Sequence, residues 1–74
     1  MDMALGTVTW FSAQSGFGLI QPFDGSTDIF VHISEIERAG LSALHEGQRV
    51  RYEAIMNHGK QAAEHLSLAD YLVE

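Results

Sequence analysis

Short runs of alternating hydrophobic and polar residues, bounded by turn-forming residues, occupy most of this chain. That period predicts strands. The first covers Gly6 to Ser12, GTVTWFS, which is rich in β-branched and aromatic residues. Alternation puts Thr7, Thr9 and Phe11 on one face and Val8, Trp10 and Ser12 on the other, so neither face is cleanly apolar. A twist or bulge near Trp10 would resolve the conflict. Ala13 to Gly16 is a short turn. Phe17 to Phe23 predicts a second strand, with Pro22 marking its end because proline cannot donate a ladder hydrogen bond. Gly16 and Gly18 flank Phe17, and a glycine inside a strand marks a bulge or the close approach of another chain. Asp24 to Thr27 is a hairpin loop with the favoured Asp-Gly pair.

Ile29 to Ile33 predicts a third strand, with Ile29, Val31 and Ile33 toward the core and Phe30 and His32 outward. Ser34 to Gly40 predicts a short helical turn, capped by Ser34 with Glu37 three places on and closed by Gly40. Leu41 and Leu44 anchor the connection that follows. Gln48 to Met56 predicts a fourth strand, setting Val50, Tyr52, Ala54 and Met56 against Arg49, Arg51, Glu53 and Ile55. Asn57 to Gly59 is a turn. Lys60 to Leu68, KQAAEHLSL, has residues that favour a helix, so on propensity alone its type stays open. Ala69 to Glu74 is a tail. Strands this short cannot bury themselves as an open sheet, and closure removes most exposed edges. The expected fold is all-β: with Lys60 to Leu68 taken as the fifth strand, a five-stranded antiparallel OB-type barrel with a short helical turn after the third strand.

Composition narrows this little. Seventy-four residues make one small domain. Such a core supplies only ~3–5 kcal/mol of net stability. There is no Cys, hence no disulfide framework or thiolate metal site. No apolar run approaches the roughly 18 residues of a membrane span, and MDMALGTV lacks the basic and apolar blocks of a signal peptide. A cytoplasmic protein is expected. Charge does change the picture. Four Lys plus Arg against ten Asp plus Glu give a net charge of −6, whereas nucleic-acid binders are usually basic. The plain meaning of that balance is solubility.

The candidate chemistry is aromatic. If the first three strands are neighbours, Trp10, Phe17, Phe30 and His32 cluster, and such a surface stacks unpaired bases at ~1–3 kcal/mol each. Glycines at 16 and 18 would leave Phe17 uncovered for a base. The competing assignment makes the same rings the core of a small barrel. Catalysis finds no support: Asp28 and His32 share a face, but His32 with Ser34 has no oriented third group. His32, His45, His58 and His65 have no spacing that builds a tetrahedral metal site. No catalytic residue, metal or cofactor is expected.

W-F-x-x-x-x-G-F-G-x-I followed by D-I-F-V-H-I-S resembles the two ribonucleoprotein-type motifs of the bacterial cold-shock proteins. The segments Gly40 to Val50 and Gly59 to Ala63 agree with the same family, so the likeness covers residues 4–68 as one domain, with 69–74 as a tail. The resemblance implies an OB barrel that binds single-stranded RNA and DNA, acting as an RNA chaperone or as a regulator of transcription or translation. It implies that Lys60 to Leu68 is the fifth strand and that Trp10 faces outward. By the same likeness Trp10, Phe17, Phe30 and His32 are the stacking residues and Phe11 a partly exposed aromatic beside them. Asp28 would meet a base edge, and Lys60 and Gln61 would reach the strand from a loop. A monomer is expected, with a domain-swapped dimer as the alternative.

The departures from that family bear on strength. Leu19, Ile33 and Leu41 stand where typical members carry aromatics, Thr9 and Ser15 where they carry lysine, and Ser12 where they carry asparagine. Weak binding is therefore expected. The alternative is a cold-shock-like domain that has largely lost nucleic-acid binding and works through a protein partner.

Overall fold

A computed structural model describes residues 3–57 and 59–69. Met1, Asp2, His58 and residues 70–74 lie outside them, and with these the start of the N-terminal segment, the middle of the expected 57–59 turn and most of the expected tail. The elements are β1 (Ala4–Ser12), β2 (Phe17–Pro22), β3 (Ile29–His32), α1 (Ile33–Arg38), β4 (Arg49–Asn57) and β5 (Lys60–Leu68). They close into a barrel in the order β1-β2-β3-β5-β4. All pairings are antiparallel except the one that closes β3 onto β5, which is parallel at Phe30 and Ala62. Among the described residues no helix is long and apolar enough to cross a membrane.

The conflict on β1 is resolved by a bulge. Val8 pairs with Ile20 and Trp10 with Leu19, so Thr9 and Trp10 together oppose one residue of β2. Val8 is then 1% exposed in the core, while Trp10 is 37% exposed on the outer face. A second irregularity lies between β4 and β5, where Arg51 pairs with Ser67 and Glu53 with Glu64. His65 takes a φ of 53° there. The extra β5 residue lets both Ala63 and Leu66 point inward. Helix-favouring residues thus form a strand because Ala63 and Leu66 must fill the barrel. The same irregularity breaks the expected alternation of β4. Tyr52 and Glu53 are both buried, whereas Ala54 and Met56, which alternation groups on one face with Val50 and Tyr52, are exposed. Glu53 is tied to His65 Nδ1 at 2.7 Å.

Two expectations need correction at α1. The helix begins at Ile33, so Ile33 leaves the strand, and the cap is His32 rather than Ser34. Gly40 does close the helix. Its N–H donates to the Glu37 carbonyl at 2.9 Å and Leu41 N–H to that of Ile36 at 3.0 Å, with Gly40 at φ 84°. This is the paired-bond stop that a left-handed residue allows. Ile36 from α1 and Leu44 from the following loop plug the barrel, and Leu41 packs against them.

Gly18 is explained by β1 rather than by a ligand. A Cβ there would lie 2.8 Å from the Trp10 carbonyl oxygen and 3.2 Å from Phe11 Cδ1. Since backbone cannot yield as a side chain can, Gly18→Ala is expected to destabilise the barrel by about 1–3 kcal/mol. Urea unfolding followed by Trp10 fluorescence measures this.

Candidate nucleic-acid interface

Three neighbouring strands put four rings in a row. Phe17 on β2 pairs in register with His32 on β3, and Leu19 lies between Trp10 of β1 and Phe30 of β3. Trp10 and Phe17 have centroids 5.0 Å apart and tilted. Phe17 and Phe30 are stacked at 5.0 Å, and Phe30 and His32 stand 6.3 Å apart. These are ordinary aromatic pair spacings, so the rings hold one another in place. The row lies outside the core: Trp10 and Phe30 are each 37% exposed, and neither belongs to the buried cluster of Val8, Ile20, Val31 and their neighbours. Assigning these two rings to the barrel core is thereby excluded.

His32 has a second duty. Its Nδ1 accepts the Ser34 N–H at 3.1 Å and lies 2.9 Å from Ser34 Oγ. Accepting from a backbone N–H makes Nδ1 the unprotonated nitrogen, so a neutral ring carries its proton on Nε2. The cap thus fixes the ring's tilt at the end of the row. Ile33 N–H donates to the Gly16 carbonyl at 2.9 Å, tying the β1–β2 turn to the start of α1.

Beside the row runs an open groove of about 700 Å³. Asp28, Phe30, Lys60 and Gln61, all expected from the sequence, line it together. Thr9 Oγ1 donates to Asp28 Oδ2 at 3.4 Å. Leu19, Thr27, Met56, Gly59 and Ala62 line it as well. Leu19 is half-buried on its wall, and Met56 is 64% exposed because β4 has left the core by then. Phe11 is not brought into the row. It pairs with Gly18 and packs partly buried against the core, in the space that Gly18 leaves. Of the four cations, Lys60 alone lines the groove, while Arg38 is engaged with Glu35 at 3.6 Å.

A closed five-stranded barrel with exposed rings across one face has the form of the small nucleic-acid-binding OB barrels. Comparison with known proteins makes this specific. The family model described as 'Cold-shock' DNA-binding domain matches residues 4–69. "Probable cold shock protein y4cH" of Sinorhizobium fredii is 56% identical over 66 residues, covering 86% of this chain and 96% of the relative. "Cold shock protein CspA" of Rhizobium meliloti is 51% identical over 69 residues, 90% of this chain and all of the relative. "Cold shock-like protein CspE" of Escherichia coli K12 is 51% identical over 53 residues, 72% of this chain and 77% of the relative. The chain belongs to the cold-shock domain family of nucleic-acid-binding domains.

The two duties of His32 separate by substitution. His32→Asn keeps a capping side chain and removes the ring, so stability is expected to stay within about 0.5 kcal/mol while oligonucleotide affinity falls. His32→Phe keeps a ring and removes the cap, so stability is expected to drop by about 1 kcal/mol with affinity largely kept. Thermal melts and oligothymidine titrations on both variants read the two effects apart.

Proposed function

We propose that this protein binds single-stranded RNA or DNA by stacking unpaired bases along Trp10, Phe17, Phe30 and His32. The row of rings spaced 5.0, 5.0 and 6.3 Å on an exposed sheet face is the observation that carries this reading. Asp28 and Gln61 offer hydrogen bonds to a base edge, and Lys60 offers a phosphate contact from the β4–β5 hairpin. A base held on these rings is withheld from pairing. The protein thereby melts weak secondary structure, as an RNA chaperone does, and acts on transcription or translation through that.

Affinity follows from the inventory. About three stacks at ~2 kcal/mol each give a gross ~6 kcal/mol. On the affinity scale that lies between millimolar and micromolar. Single-residue values do not sum to a binding energy, so this bounds the expectation. The aliphatic Leu19 offers no π-face between Trp10 and Phe30, and Lys60 is one cation where phosphate-driven binders use many. Binding is weak and dominated by stacking.

Quenching of Trp10 fluorescence by oligothymidine should give a Kd of about tens of micromolar or weaker. The logarithmic salt slope should be shallow, roughly −0.7 to −2 for one to three phosphate contacts. Phe30→Ala should weaken binding by ~1–3 kcal/mol. A nanomolar Kd with a steep slope would overturn the weak-stacking account. No Trp10 response at all would favour a barrel that works through a protein partner.

A further inference from the structure

A second concave site lies away from the ring row, where the start of β1, the end of β2 and the middle of β4 meet. It encloses about 440 Å³, within the usual range for ligand pockets. Met3, Leu5, Pro22, Phe23 and Ile29 supply apolar walls. Several of these are freely exposed: Phe23 at 80%, Met3 and Leu5 at 45% each. Tyr52 also lines it, and Tyr52 is fully buried, yet its hydroxyl is without a hydrogen-bond partner among the described residues. Leaving a buried hydroxyl unpaired is unfavourable, so a native structure that keeps one invites a partner for it.

Charge tells which partner. Asp24 lines the same site. Hydrogen bonds from the Ser26 side chain and backbone hold its carboxyl below the ordinary carboxylate range, so it is charged at neutral pH. Burial first, and the Asp24 charge second, raise the Tyr52 phenol above its usual value, which keeps it a neutral donor. No Lys or Arg lines the site among the described residues. A nucleic-acid strand would meet a carboxylate and no cation. A second copy of a chain with net charge −6 would bring more of the same sign.

We propose that this end of the barrel is a docking site for a protein segment carrying an apolar side chain next to a Lys or Arg. The apolar side chain seats among Met3, Leu5 and Phe23. A backbone carbonyl of the segment accepts the Tyr52 hydroxyl, and the cation meets Asp24. The site touches the nucleic-acid groove only through Gln61, which lines both. It rests on Tyr52 and Asp24, so it stands or falls separately from the stacking reading.

The test uses the full chain labelled with ¹⁵N and two capped tetrapeptides, Lys-Leu-Leu-Lys and Glu-Leu-Leu-Glu. The basic peptide should shift amides of Met3, Leu5, Phe23 and Ala54 and leave Phe17 and His32 unmoved. The acidic peptide should shift none of them. Tyr52→Phe should raise the Tm, since it deletes an unpaired buried hydroxyl, while weakening the basic peptide about three- to tenfold. Oligothymidine binding by that variant should match the parent. Equal binding of both peptides would overturn the charge assignment. A Tm that falls in Tyr52→Phe would show that the phenol already has a partner, and the proposal would fail.

Discussion

One extra residue in β1 decides what this barrel can present. Without the irregularity between Val8 and Trp10, both would lie on the same face of the strand. Either Trp10 would enter an interior with no space for it, or Val8 would leave. The bulge lets β1 serve the core through Val8 and the outer surface through Trp10, two residues later. Thr9 takes up the irregularity, with its hydroxyl toward the Leu19 carbonyl and Asp28 at 3.4 Å each. The ring row, the groove beside it and the close approach of β1 to Gly18 all follow from that local geometry.

The interior shows why such devices are needed. A small closed barrel is filled by few side chains: Val8, Ile20, Ile29, Val31, Val50, Tyr52, Ala63 and Leu66 within the strands, with Ile36 and Leu44 as plugs. In so small a core each inward position matters, and close packing leaves no slack for a strand that runs out of step. β5 meets the demand with His65 at positive φ, bringing Ala63 and Leu66 both inside. The departure from alternation then carries to β4, which buries Glu53 and releases Met56 to the groove wall. Core constraint and binding surface are therefore linked through two irregularities, one on each side of the barrel.

The same irregularities mark the limit of legibility. Strand positions, turns and the outward direction of Phe30 and His32 could be read from alternation, because β3 is regular and its core face is purely aliphatic. The conflict on β1 was visible as well, since a pattern with two mixed faces has no regular solution. Its location near Trp10 followed; the seat of a half-buried Phe11 over Gly18 did not, because a bulge changes which residues share a face. β5 was opaque for a different reason. Its residues prefer helix, and only the likeness to a family, with the tertiary demand for Ala63 and Leu66, overrides that preference. The helix cap was misplaced by two residues because Ser34 fits a capping pattern, whereas imidazole is not a usual cap. Only the structure shows His32 Nδ1 accepting the Ser34 N–H. Tyr52 gave no signal at all: a tyrosine on a strand's core face reads as filler until its hydroxyl is seen to be alone.

The acidic charge, awkward for a nucleic-acid binder, becomes consistent once it is placed. A row of rings gains affinity from π-faces and needs few cations, so stacking tolerates a net charge of −6 where phosphate-driven binding would not. The loss falls on long-range attraction to the strand, hence on association rate and salt dependence more than on the fit of a base. Meanwhile the acidic residue at the far apolar site does something useful: Asp24 discourages phosphate there and leaves Phe23, Met3 and Leu5 to a partner of opposite charge. A barrel whose two exposed apolar regions differ in electrostatic setting can keep its ligands from exchanging places. The groove sets Lys60 beside Asp28, whereas Asp24 lines the barrel end with no Lys or Arg among the described residues, so the two sites differ in the charge each can pair.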